Sequence, residues 1–375
     1  MKSVKIFGKS VPLLAIVMVS MLVVGASAYA FVGVASAATG TSTLTLHYYT
    51  GTGDTDPVTG LTVVLKDSGG NQVGWKSGVN GWTSFSGLAD VTYDVISTKG
   101  GFSRTDDVTV SSDTTADIPC GKLITRYYTN NNGTGDAVTG LTVEVKKTGG
   151  SQVAWKSGVN GEYSFALLAT YEGATYDVIS TKGGFTRTET GITVASDNIL
   201  NVPCGKLIVT YYANDKTTWG MSSVTTEVKK TGGSQVAWKS GVNGETSFAL
   251  LATYEGATYD VISTKGASSR TETGITVAST QTLDVPVARF RVSIVKGDFS
   301  AQSSVTVEVR TAAGQVDWKS GVNGYADFSL LQSSGTSGAG AYKFIATKNS
   351  TTAQTTANAD EVPPAGPSGV ILMIP

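Results

Sequence analysis

The heptapeptide Trp-Lys-Ser-Gly-Val-Asn-Gly occurs four times, beginning at Trp75, Trp155, Trp238 and Trp318, at separations of 80, 83 and 80 residues. No other feature of the 375-residue chain restricts its fold as much. Repetition at this period means separate small domains, since about 80 residues can close a core of their own. The second and third copies are nearly one text: between Glu144–Ser196 and Glu227–Ser279, 49 of 53 positions are identical. They differ at Tyr163 against Thr246, and at Gly184-Phe185-Thr186 against Ala267-Ser268-Ser269. An enzyme seldom needs the same module four times, whereas a stalk gains length from each copy.

Each copy reads as short strands separated by turn residues, with no helical periodicity. In the second copy the pattern predicts strands over Lys122–Tyr128, Leu141–Lys147, Gln152–Lys156, Tyr163–Leu167, Thr175–Thr181, Thr186–Val194 and Ile199–Pro203. Seven strands of that length indicate a two-sheet β-sandwich. Thr142-Val143-Glu144-Val145-Lys146 alternates as a strand with one face to the core should. Asn80-Gly81, Asn160-Gly161, Asn243-Gly244 and Asn323-Gly324 favour the left-handed backbone of a tight hairpin. Tyr48-Tyr49, Tyr127-Tyr128 and Tyr211-Tyr212 recur on the first strand, with Ile294-Val295 in the fourth copy. One member of each pair should face the core and its neighbour the outside.

The run LTVEVKKTGGSQVAWKSGVNGEYSFALL, followed by TYDVISTKG, resembles the prealbumin-like, or carboxypeptidase-regulatory-like, Ig-like β-sandwich. It is similar also to the B-type repeats of collagen adhesins and pilus stalks. The resemblance covers all four copies and implies a fold and an extracellular habit, not an activity. It also raises the self-formed Lys–Asn isopeptide bonds of such stalks. Lys122, Asn201 and Glu144 would supply them in the second module, but the third offers Lys206 with Asp284 and the first Thr43 with Asp117, so the pattern fails between copies.

The expected architecture is therefore all-β: four tandem seven-stranded Ig-like β-sandwiches, over residues 38–120, 121–204, 205–287 and 288–375, after an N-terminal hydrophobic helix within 1–37. The first three modules end in Ile118-Pro119-Cys120, Val202-Pro203-Cys204 and Val285-Pro286-Val287, and the next strand starts at once. With a proline and no linker at each joint, neighbouring modules should hold a fixed angle and form a stiff rod.

Residues 1–37 carry Lys2, Lys5 and Lys9 and no acid, and Val11–Ala37 is uncharged throughout. Three readings are open. A secretory signal peptide could be cut after Ala28 or Ala37, the segment could remain as a membrane anchor, or it could be processed as a pilin. Gly8-Lys9-Ser10 before a long uncharged stretch resembles the prepilin signals of archaeal type IV pilins, whose hydrophobic helix packs into a filament core. All three place the modules outside the cell, with the membrane met only through residues 11–37.

Composition excludes several classes. Only 15% of residues are charged, against about 25% in ordinary soluble domains. Beyond the first 37 residues the balance is slightly acidic, with no basic run, which argues against nucleic-acid binding. One histidine, His47, and two cysteines cannot build a zinc site or a histidine-based triad within one chain. No nucleotide loop or nucleophile elbow is visible. The reading is a non-enzymatic surface protein without cofactor or metal.

Several residues remain as candidate contacts. Trp75, Trp155, Trp238 and Trp318 could stack on glycans or a partner; packing in the core or at a joint explains a fourfold position equally well. Cys120 and Cys204 lie one module apart, too far to pair with each other. They are either buried thiols at the joints or intermolecular disulfides in an assembly outside the cell. Asn132 and Asn349 stand in glycosylation sequons. Asp54 and Asp56 offer too few oxygens for calcium. The last strand, Val370, Ile371, Leu372, Met373 and Ile374, is apolar without interruption. It either fills its own sandwich or inserts into the sheet of another subunit as an assembly strand. Expected partners are copies of the chain, other surface proteins and glycans. The function so read is a structural subunit of a surface filament, pilus or surface layer; the alternative is an adhesin or carbohydrate binder using its repeats for avidity.

Overall fold

A computed structural model describes residues 3–6, 9–12, 40–51, 56–130, 133–171, 173–213, 220–254, 256–332, 341–359 and 368–374. Two short strands, Ser3–Ile6 and Lys9–Pro12, pair antiparallel ahead of the repeats. The expected helix over Val11–Ala37 lies outside the described residues, apart from Val11 and Pro12 in the second of these strands.

The repeats are all-β sandwiches in tandem. In the second module the strands are β1 (Cys120–Arg126), β2 (Leu141–Lys147), β3 (Gln152–Val159), β4 (Glu162–Leu168), β5 (Tyr176–Lys182), β6 (Phe185–Ile192) and β7 (Asn198–Asn201). The same labels serve the equivalent strands of the other modules. One sheet has the order β4-β1-β7, the other β3-β2-β5-β6. All neighbours are antiparallel except β1 and β7, which run parallel. This arrangement repeats in the third and fourth modules, and in the first, where the β3–β4 hairpin pair Asn80–Trp82 links the two sheets. The seven strands match those read from sequence to within about three residues at their ends, the usual uncertainty of strand boundaries.

The alternation of the sequence becomes the core directly. Leu141, Val143 and Val145 of β2 are buried, and so are Tyr176 and Val178 of β5. Just after β1 the first tyrosine of the repeated pair is buried in full: Tyr48, Tyr127 and Tyr211. Each hydroxyl meets a buried serine at 2.9 Å, Ser97, Ser180 and Ser263 respectively. The second tyrosine lies over the hairpin glycine. A Cβ on Gly161 would stand 2.8 Å from the Tyr128 hydroxyl, and φ of +76° there already selects glycine. In the fourth module both partners change together: Ile294 replaces the tyrosine and Ala346 the serine. Exchanging both halves of a buried hydrogen bond for apolar groups costs little, whereas exchanging one leaves the other unsatisfied.

Apolar packing runs unbroken through the first three modules and reaches Val287 and Leu331 in the fourth. The rest of the fourth module has a separate core around Phe290, Phe328, Phe344 and Leu372. Its closing strand, Ser368–Met373, pairs in parallel with its own β1, Phe290 to Ser368 through Val295 to Met373. Val370, Leu372 and Ile374 point into the sandwich, while Ile371 and Met373 are 66% and 43% exposed.

Candidate functional site

The chemistry that recurs in this chain is concentrated where one module meets the next. At each joint the β5–β6 hairpin of the earlier module reaches into the later one. Gly100, Gly183 and Gly266 have φ of +55°, +52° and +53° and sit against later-module backbone. A Cβ there would lie 2.1 Å from the Gln152 carbonyl oxygen, 2.0 Å from that of Gln235, and 2.6 Å from that of Gln315. Both the backbone angle and the close approach therefore require glycine.

The residue two positions on completes the contact. Phe102 stacks on Tyr176 of the second module, with ring centroids 4.7 Å apart, and Phe185 stacks on Tyr259 of the third at the same distance. At the last joint Ser268 takes the place of phenylalanine, and its Oγ lies 2.8 Å from the Tyr342 hydroxyl. The triplet that separates the second copy from the third is thus the joint itself. Arg104, Arg187 and Arg270 hold Asp106, Glu189 and Glu272 on their own strands. Each also donates Nη1 to a carbonyl of the next module, at Ala169, Ala252 and Gln332. Arg104 and Arg187 in addition stand over the rings of Tyr171 and Tyr254. The proline carbonyls of Pro119, Pro203 and Pro286 accept from the backbone of Ala169, Ala252 and Gln332.

Beside the first two joints lies a groove of about 520 Å³ at the first and about 490 Å³ at the second. Equivalent residues line both: Lys99 and Lys182 from the earlier module, Trp155 and Trp238 with Ala154 and Ala237 from the later one. Burial holds both of these lysines below the usual ammonium range.

The tryptophans are not packed in the core. Trp75, Trp155, Trp238 and Trp318 are 54% to 60% exposed. They lie on β3, the edge strand of the four-stranded sheet, and the register sets them opposite Val64, Glu144, Glu227 and Glu308 on the outer side of β2. A β-bulge just before each tryptophan turns Val153, Val236 and Val316 inward, which leaves the ring on the solvent side. Trp82 is a fifth exposed tryptophan, at the head of β4 in the first module. In the last three modules the lysine after the tryptophan stands over a ring of β4, Lys156 over Tyr163, Lys239 over Phe248 and Lys319 over Phe328.

Cys120 and Cys204 open β1 at the first two joints, and neither is in a disulfide. Cys204 is 1% exposed, and burial pushes both thiols up to about 12, so they are protonated and unreactive at neutral pH. A disulfide between chains at Cys204 requires that joint to open. Asp56 lies 2.6 Å from Lys122 and Asp136 lies 2.8 Å from Lys206, each an ion pair across a joint. Asp54 lies outside the described residues. Lys122, Asn201 and Glu144 do not converge. Lys122 is opposite Ala166, Asn201 is opposite Arg126 four positions along β1, and Glu144 belongs to the other sheet beside Lys146. Asn132 lies outside the described residues. Asn349 is exposed, with φ of +46°, at the tip of the β5–β6 hairpin of the last module. That hairpin forms the joint in the three modules before it.

No family model matches the sequence, and no curated protein matches it. Among solved structures, the chain is similar to the Bacillus anthracis TIE protein, at 12% identity and a TM-score of 0.19, over 85% of this chain and 69% of that one. It is similar to two B repeat units of the collagen binding protein of Staphylococcus aureus, at 13% identity and a TM-score of 0.17, over 89% and 99%. It is similar also to BcpA, the major pilin subunit of Bacillus cereus, at 10% identity and a TM-score of 0.21, over 89% and 99%.

Proposed function

We propose that the chain is a structural rod of the cell surface, a subunit of a filament, pilus or surface layer. The observation that carries this reading is the joint: a hairpin tip seated in the next module, repeated three times with its glycine, its arginine and its proline carbonyl bond retained. Such a contact transmits force and orientation from module to module, and nothing in it requires a ligand or a catalyst. The uncharged stretch Val11–Ala37 supplies export, and under pilin-type processing it becomes the filament-core helix with the modules projecting outward. Ile371 and Met373, exposed on the free edge of the last three-stranded sheet, are the proposed contact for a further copy or another surface protein. Mass spectrometry of the mature N-terminus, with immunogold electron microscopy of intact cells, tests the reading. Label along filaments or across the envelope, with a start at Val11 or near Ala38, is the expected result. Protein found only inside the cell and unprocessed would overturn it.

A second reading has a specific observation behind it. The four tryptophans are exposed at one position of every module, so a rod carrying them presents the same aromatic surface at regular intervals, as an avidity-based adhesin does.

A further inference from the structure

We propose that the grooves at the first two joints bind a carboxylate-bearing sugar, and that the third joint is closed to it by the chain's own carboxylate. The inference rests on the second reading, binding along the rod, and is independent of whether the rod polymerises. It begins with three equivalent lysines that meet different fates. Lys99, Lys182 and Lys265 each end β5 immediately before the joint glycine. At the third joint, Asp317 of the later module places Oδ2 2.6 Å from the Lys265 ammonium, and the pair is largely buried. Asp317 precedes Trp318 in the repeated motif. The residues preceding Trp155 and Trp238 are Ala154 and Ala237. Among the described residues, no carboxylate lies within ion-pairing distance of Lys99 or Lys182. The Lys99 ammonium has only the Ala166 carbonyl, at 3.5 Å.

Among the described residues, the first two joints therefore hold a half-buried ammonium without a counter-ion, where the third shows how a carboxylate completes it. A desolvated charge gains most from a partner that enters with a charge-assisted hydrogen bond. Other charges facing these grooves are already engaged. Asp56 is paired with Lys122 and Asp136 with Lys206 across the joints, and Lys239 donates to the Ser247 carbonyl over the Phe248 ring. The surplus charge is that of Lys99 and Lys182.

The remaining lining selects the class of ligand. Each groove lies within the roughly 300–1,000 Å³ range of small-molecule sites. Each combines an exposed tryptophan with hydroxyls (Thr59 and Ser164, or Thr139 and Ser247), above the buried Phe165 or Phe248 of β4. A pyranose offers an apolar C–H face to the tryptophan ring, hydroxyls to the threonine and serine, and in a uronic acid a carboxylate to the lysine. An acidic peptide side chain supplies the last of these and not the first. Two equivalent grooves one module apart suit a repeating polymer, whose second contact is strengthened by the first.

The test is calorimetric titration of the full chain, held in mild detergent, with oligogalacturonate and with its carboxyl-reduced neutral counterpart. The expected result is two sites per chain, weakened by salt, with the neutral sugar at least about tenfold weaker, as loss of one charge-assisted hydrogen bond implies. Ala154→Asp with Ala237→Asp installs the arrangement of the third joint, keeps the fold and should lower affinity at least about tenfold. Trp155→Ala with Trp238→Ala, at exposed positions, should weaken binding of both sugars. Undiminished binding in the aspartate variant overturns the proposal, as does equal binding of polyglutamate. Equal binding of the neutral sugar, lost in the alanine variant, overturns the acidic assignment and leaves the binding reading standing. Absence of binding by either sugar overturns both.

Discussion

Tyr127 and Ser180 show at the scale of single residues what the repeat conserves and what it releases. Their hydroxyls meet at 2.9 Å in a site closed to solvent. Tyr127→Phe should lower stability by about 1–3 kcal/mol, the cost of a buried hydroxyl left without its partner. Adding Ser180→Ala should recover most of the loss, as the Ile294 and Ala346 pair of the fourth module implies; denaturant titration of the unaltered chain and the two variants measures both steps. The thiols make a second residue-scale prediction. Cys120 and Cys204 are raised by burial from an ordinary 9.0 to about 12 in the folded chain. Between those values the unfolded thiols have lost protons that the folded ones keep. The native state therefore binds more protons there, and its stability falls as pH rises through that window. Val287 stands at the same position in the third joint. Cys120→Val with Cys204→Val should reduce the fall in stability between pH 8 and pH 10.5, and an unchanged profile would show that the thiols do not contribute to it. Much at this scale was hidden in the text. The sequence left the tryptophans between a contact surface and packing in the core or at a joint, since large aromatics dominate small cores, and only the bulge before them, a matter of register, turns them outward. The pairing of Lys265 with Asp317 joins residues 52 positions apart in different modules, which no local pattern reports.

At the scale of elements, the β5–β6 hairpin does two jobs, closing one sheet and fastening two modules. Gly183→Ala places a methyl group about 2.0 Å from the Gln235 oxygen, in a backbone region that disfavours alanine. It should open the second joint at a cost of roughly 1–3 kcal/mol, seen as faster hydrogen exchange at Phe185 and Tyr259 while the strands within each module stay protected. The closing strand of the fourth module is a separate case. Removing Gly369–Pro375 takes Val370, Leu372 and Ile374 from a core distinct from that of the first three modules. The fourth module should lose its fold while the other three keep theirs, and proteolysis followed by mass spectrometry would show a resistant fragment ending just beyond Val287. Here the sequence was more legible. Period-two alternation, Asn-Gly turns and prolines at the joints located the strands and their punctuation, since those signals are local. The uninterrupted apolar text of Gly369–Ile374 suggested cover on both faces and left open whether the strand fills its own sandwich or inserts into the sheet of another subunit. Its pairing with β1 buries alternate residues and exposes Ile371 and Met373.

For the whole molecule, the joints decide the mechanical character. The described hydrogen bonds and ion pairs between modules join only neighbours in sequence, so the array is linear. Each joint combines a seated glycine hairpin, an arginine shared between carboxylate and carbonyl, and a proline carbonyl bond. The fourfold repeat and the absence of linkers made this order readable, but the contacts themselves were not, because they are made between copies and repeat too sparsely to show as a motif. The sequence difference at Gly184-Phe185-Thr186 was visible as text, and only the stacking of Phe185 on Tyr259 identifies it as a joint. Stiffness is the property on which the structural reading rests. It is tested most directly by small-angle X-ray scattering from residues 38–375, in parallel with the Gly100→Ala, Gly183→Ala, Gly266→Ala triple variant. One conformation with all three joints closed should reproduce the scattering of the unaltered chain, and the triple variant should require a broad range of inter-module angles. If the unaltered chain itself requires that broad range, the modules are beads on a flexible string and the rod does not exist.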